Sequence, residues 1–214
     1  MTNPSVVTRA VLLFLLAVAA PLAQSAPRFE ITPFAGGRVG GGFDVENETT
    51  GEEDSADLDS GASYGLGLGL YANETGFYEL LYSRQSSSLD SRDLAINDLD
   101  VDVNYLHVGG TAMFPDERFY IPYVSFTLGA TFFEPSPGRY DSETRFSASL
   151  GGGFRFPVND NVAFLLGLRG YRTLIDSNTD LFCVSDSGEG GCLVKSSGST
   201  FFQTEAQLGV TFTF

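Results

Sequence analysis

The residues of this 214-residue chain best suited to chemistry are its single histidine, His107, and its two cysteines, Cys183 and Cys192. Acyl transfer or deacylation on a lipid calls for an imidazole base beside a serine and a carboxylate. His107 is the only candidate base, and it falls toward the short-turn end of a segment whose faces are ambiguous, so the chain reads as non-enzymatic. The cysteines share one Ser/Gly-rich stretch, and in an oxidising compartment a disulfide closing a small loop is the natural reading. Zinc would want further thiolate or imidazole ligands, and His107 is far away in sequence. No metal site and no cofactor is expected from these residues.

Charge is the next source of chemistry. The chain carries 12 Lys and Arg against 27 Asp and Glu, a formal charge of −15, which makes nucleic acid an unsuitable partner. The densest acidic stretch, residues 44–59, includes Asp44, Glu46, Glu48, Glu52, Glu53, Asp54, Asp57 and Asp59. A solvated loop is the default there. Hard oxygen ligands could also collect divalent cations, although the spacing lacks the ordered pattern of an EF-hand. Six other charges sit singly on polar faces of alternating segments: Glu30, Arg38, Glu79, Arg155, Arg169 and Glu205.

The elements that must position those charges begin after a secretory leader. Arg9 precedes the apolar run from Val11 to Ala20, which is followed by Pro21 and the small-residue segment Ala23-Gln24-Ser25-Ala26. The run is too short for a permanent spanning helix, which needs about 20 apolar residues. Residues 1–25 are therefore expected to be cleaved, leaving 26–214 as one domain. From Arg28 onward, period-two alternation replaces any helical spacing. In the last segment Phe202, Thr204, Ala206, Leu208, Val210, Phe212 and Phe214 share one face, opposite Gln203, Glu205, Gln207, Gly209, Thr211 and Thr213. The same split recurs near 28–43, 62–71, 77–85, 120–133, 145–156 and 162–174. Segment 98–114 is the exception: Val101, Val103 and Tyr105 begin one face while Leu106 and Val108 lie on the other, which suggests a bulge or a register uncertainty.

Short connections at 73–76, 115–118 and 157–160 alternate with long polar ones near 44–60, 86–97, 134–143 and 175–199. A soluble sandwich also alternates apolar and polar residues. The segregation of turn lengths, strands able to reach about 9–11 residues and aromatic residues near strand ends favour an all-β, eight-stranded antiparallel up-and-down transmembrane barrel. The apolar faces would then meet lipid. The six single charges would point inward, ringed by Tyr123, Ser125, Thr127 and Gln207, and buried charges need partners. Such a network is read first as a plug, since an eight-stranded barrel is just wide enough for side chains to fill. Gly65, Gly67, Gly69, Gly151 and Gly153 either leave room for the arginines or let the sheet bend.

The segment 28–38 (RFEITPFAGGR), the run 78–85 (YELLYSRQ) and the closing GVTFTF of 209–214 resemble the small OmpA/OmpX/OmpW-like outer-membrane barrel proteins. The resemblance implies a Gram-negative outer-membrane location amid lipid and lipopolysaccharide. It also implies a C-terminal signal, Phe212 and Phe214, read by the outer-membrane assembly machinery. It leaves two roles: an envelope-structural or surface-interaction barrel with a charged, plugged interior, or an OmpW-like, porin-like narrow pore or carrier for small or apolar solutes.

Overall fold

A computed structural model describes residues 27–46, 53–90, 99–116, 118–136, 142–175, 180–183, 192–195 and 200–214. The leader and its cleavage point lie outside the described residues, as do the side chains of the acidic stretch up to Asp57 and those of both cysteines. Among the described residues twelve strands follow one another: β1 (Phe29–Gly40), β2 (Gly42–Glu46), β3 (Glu53–Leu58), β4 (Gly61–Asn73), β5 (Gly76–Asp90), β6 (Leu99–Met113), β7 (Ile121–Ser136), β8 (Glu143–Pro157), β9 (Val162–Leu174), β10 (Asp180–Cys183), β11 (Cys192–Lys195) and β12 (Thr200–Thr213). Eight of them close an antiparallel ring in the order β1-β12-β9-β8-β7-β6-β5-β4. The β2–β3 hairpin continues the sheet above β5, and β10 pairs with β11 separately.

The seam lies between the chain ends. Phe29 N donates to Phe214 O at 3.2 Å, Phe214 N donates back to Phe29 O at 2.9 Å, and the two rings stack with centroids 5.1 Å apart. Asparagines tighten two of the short turns, as their side chains readily cap turn amides. Asn73 Oδ1 accepts from Thr75 N, and Asn159 Oδ1 accepts from the amides of Asn161 and Val162, each at 2.9 Å.

The register fixes the shape of the ring. Following cross-strand partners once around from Phe29 passes through Leu70, Tyr78, Gly110, Phe126, Leu150, Gly170 and Thr204, and returns to β1 at Val39, ten residues further on. A shear of ten on eight strands, with rises of about 3.3 Å along a strand and about 4.8 Å between strands, gives a tilt of roughly 41° and a radius of about 8 Å. Each residue then climbs about 2.5 Å along the barrel axis. The ten steps from Phe29 to Val39 span about 25 Å, the height of an outer-membrane apolar band.

Three local expectations are corrected. Strand β6 has no bulge: its pairing with β5 runs unbroken from Leu99 to Ala112. Its polarity reverses instead, with Leu106 and Val108 exposed outward while Val101, Val103, Tyr105 and His107 are buried inside. Above the lipid band the exterior is wet, so apolar residues turn inward and Asp102 and Asn104 turn out. The first strand stops at Gly40 rather than running to Phe43, because Gly40 and Gly41 take φ of 84° and 104°, a region that disfavours other residues. The long connections are also shorter than their polarity suggested: 86–90 and 134–136 belong to strands, and the first and last carry hairpins.

The barrel interior as candidate functional site

Among the described residues, three ion pairs that join different strands stack up the lumen. At the short-turn end Arg155 Nη2 meets Glu30 Oε2 at 2.7 Å, and the Tyr71 hydroxyl donates to the same oxygen at 2.6 Å. Arg155 also donates to Met113 Sδ at 3.0 Å and lies over the Phe77 ring. Glu30 and Arg155 belong to strands three apart in the ring, so this contact crosses the lumen.

The middle pair spans opposite walls. Arg169 on β9 donates from Nη2 to Glu79 Oε1 on β5 at 3.0 Å, and Thr111 donates to Glu79 Oε2 at 3.1 Å. From Arg169 Nη1 a chain of hydroxyls leads to the histidine: Ser149 at 3.0 Å, Ser149 to Thr127 at 2.6 Å, Thr127 to His107 Nδ1 at 3.0 Å, and His107 Nε2 to Ser147 at 2.8 Å. His107 is therefore inside the lumen and near mid-barrel, not at the short-turn end. Its burial and its hydroxyl partners hold the ring away from lipid.

The upper pair is fully buried. Arg38 Nη2 and Glu205 Oε1, cross-strand neighbours on β1 and β12, are 3.0 Å apart. Ser83 donates to Glu205 Oε1 at 2.8 Å and also bonds Arg38. Tyr171 and Gln207 donate to Glu205 Oε2 at 2.8 and 2.6 Å, so both carboxylate oxygens are doubly satisfied. The Arg38 guanidinium lies over the rings of Tyr105 and Tyr171, which stack on each other at 4.0 Å. Tyr105 then donates to Gln203, and Gln203 to Gln85. Above this tier Val101, Val103, Phe133 and Phe201 are almost fully buried, with the Phe133 and Phe201 rings edge to face at 5.3 Å, beside the buried Thr131–Thr173 hydroxyl pair and an Arg145–Glu143 ion pair on the inward face of β8.

All six singled-out charges are thus in the lumen, paired as Glu30 with Arg155, Glu79 with Arg169, and Glu205 with Arg38. Of the polar residues placed around them, Gln207 and Thr127 join the bonds, whereas the Ser125 hydroxyl has no partner among the described residues. Phe34 and Phe77 point inward as well, two lumen residues that the expected polar set did not include. The glycines serve different ends. A Cβ on Gly151 would sit 2.7 Å from Ser125 Oγ and 3.3 Å from Arg169 Nε, so this one makes room for an arginine. A Cβ on Gly65 would strike the Phe34 ring and the Tyr82 carbonyl, and one on Gly153 the Leu166 carbonyl.

A cavity of about 30 Å³ lies between the lower and middle tiers, bounded by Glu30, Thr32, Glu79, Arg155 and Arg169. That is room for a water or two, which needs at least ~10–15 Å³ each. Among the described residues no group of His, Cys, Asp and Glu could hold a metal ion.

The family of the outer membrane protein beta-barrel domain matches residues 10–214. Among solved structures, Neisserial surface protein A aligns with a TM-score of 0.58 at 15% identity, covering 89% of this chain and all of that one. AlkL, solved in lipid bilayers, gives 0.59 at 13% identity over 90% of this chain and 94% of that one. OprG from Pseudomonas aeruginosa gives 0.57 at 12% identity over 89% and 97%. Identities this low establish the shared fold. No curated protein sequence matches the chain significantly.

Proposed function

Because the chain belongs to the outer membrane protein beta-barrel domain family and so resides in the Gram-negative outer membrane, we propose that it is a non-enzymatic barrel whose body is an envelope-structural wall and whose loops meet the surroundings. The observation that carries this reading is a lumen crossed by three Arg–Glu pairs, with a cap of buried Val101, Val103, Phe133 and Phe201 above them. In planar-bilayer recording the purified barrel is expected to give no discrete conductance steps. Reproducible openings would overturn the reading. The alternative, a narrow pore or carrier resembling OprG or AlkL in fold, needs a path through the cap, and solute uptake into liposomes would support it.

Two further parts of the reading concern the chain ends. Phe212 and Phe214 present the C-terminal strand to the assembly machinery, supported by the seam contacts of Phe214. Cys183 and Cys192 close a disulfide: they are directly opposed across the β10–β11 pair. Antiparallel partners lie about 4.5 or 5.5 Å apart at Cα, both within disulfide reach. Mass spectrometry of the non-reduced protein should find the two cysteine peptides linked, with a gain of two hydrogen atoms on reduction; two alkylatable thiols would refute the bond. The acidic stretch 44–59 remains a surface for divalent cations shared with lipopolysaccharide, and lipid and lipopolysaccharide are the surroundings of the wall.

A further inference from the structure

The described arginines pair almost without exception. Arg38, Arg84, Arg118, Arg145, Arg155 and Arg169 each have a carboxylate within ion-pair distance, and Arg28 lies 4.8 Å over the Tyr71 ring. Arg172 on β9 is the one that has neither among the described residues; its side-chain bond is a 3.4 Å contact to Thr200 Oγ1. It faces outward between its cross-strand neighbours Ala148 and Phe202 and is exposed. The ring's register places Arg172 about 24 Å above the level of Phe29. Exposed Phe202 and Leu174 lie a few ångströms higher on the same outer wall.

This guanidinium therefore sits where acyl chains give way to headgroups, amid lipid-facing side chains. A cation there is costly without an anion, and arginine binds phosphate bidentately. The net charge of −15 makes the protein's overall field repel phosphates, so any attraction must be local. We propose that Arg172 docks a phosphate of the lipopolysaccharide headgroup in the outer leaflet. The inference rests on the outer-membrane setting and is independent of whether the lumen is plugged.

The test is native mass spectrometry of the folded barrel titrated with bisphosphorylated lipid A or with the same lipid dephosphorylated. EDTA is present throughout, to remove cation bridges from the acidic loop. The wild type should prefer the phosphorylated lipid about fivefold, the size expected of one cation at an anionic surface. Arg172→Gln should erase the preference, Arg172→Lys should keep most of it, and Arg84→Gln, whose cation is already paired with Asp102, should leave it intact. A wild type without preference, or a heat-modifiable Arg172→Gln barrel that retains it, overturns the proposal.

Discussion

At the scale of single residues, the lumen is governed by the cost of leaving a charge alone. Arg38 and Glu205 are both fully buried, and Glu205 keeps donors on each oxygen. Removing the cation while keeping the anion strands a carboxylate, a change that costs about 3–5 kcal/mol in buried pairs. Arg38→Met should lower unfolding stability in lipid by roughly that amount, measured by urea titration with folded and unfolded bands separated on a cold gel. The double variant Arg38→Met with Glu205→Leu should recover part of the loss, because no charge is left uncompensated although Ser83, Tyr171 and Gln207 lose their acceptor. If the double variant is as unstable as the single one, packing rather than electrostatics holds this tier. The same logic explains what could be read in advance. Parity along each strand placed Glu30, Arg38, Glu79, Arg155, Arg169 and Glu205 on one side of the wall; Arg38 and Glu205 then meet as neighbours across the closing seam, whereas the pairs Glu30–Arg155 and Glu79–Arg169 depend on a lumen crossed over three and four strands. Phe34 and Phe77 share that parity, but only charged and polar side chains were expected in the lumen, so these inward rings went unplaced.

At the scale of elements, legibility followed the solvent outside each strand. Where lipid touches the wall, outward residues are apolar and inward ones polar, so β12 and β9 could be traced almost residue by residue from alternation. Where strands rise past the lipid, the contrast inverts, as it does in β6 between Leu106 and Val103, and a continuous strand then imitates a bulge. The paired backbones of β2–β3 and β10–β11 were hidden for a related reason: strands this short, four to six residues, set in long polar connections show no clear alternation. Closure of the ring is the property of one element in particular. β12 bonds β1 over the stretch from Glu30 to Gly40 and β9 over Thr200 to Phe212, so it completes the backbone bonding of two neighbours. Hydrogen-bonding groups left open in lipid cost several kcal/mol each. A chain ending at 201 should therefore show no difference in gel migration between boiled and unboiled samples, whereas the full chain should show a clear one. A retained shift would mean that the remaining strands close without β12.

At the scale of the whole molecule, shear and band height together determine how the barrel fits a bilayer. Ten residues of register offset tilt the strands by about 41°, and the outward apolar residues from Phe29 and Phe212 up to Val39 and Phe202 then cover roughly 25 Å. A bilayer thicker than this would press acyl chains against Arg84, Arg172 and the polar outer ends of β6 and β7. A thinner one would leave Phe202 and Phe132 in contact with water. Both mismatches cost fractions of a kcal/mol per ångström, so stability should pass through a maximum rather than rise steadily with chain length. The check is the urea midpoint of barrels folded into phosphatidylcholines of graded acyl length. The highest value is expected where the hydrocarbon core is near ~25 Å, with falls on both sides. A midpoint that climbed without limit toward thicker membranes would show that the polar residues above Leu106 and Tyr82 tolerate hydrocarbon, and that the upper edge of the band lies higher than the register places it.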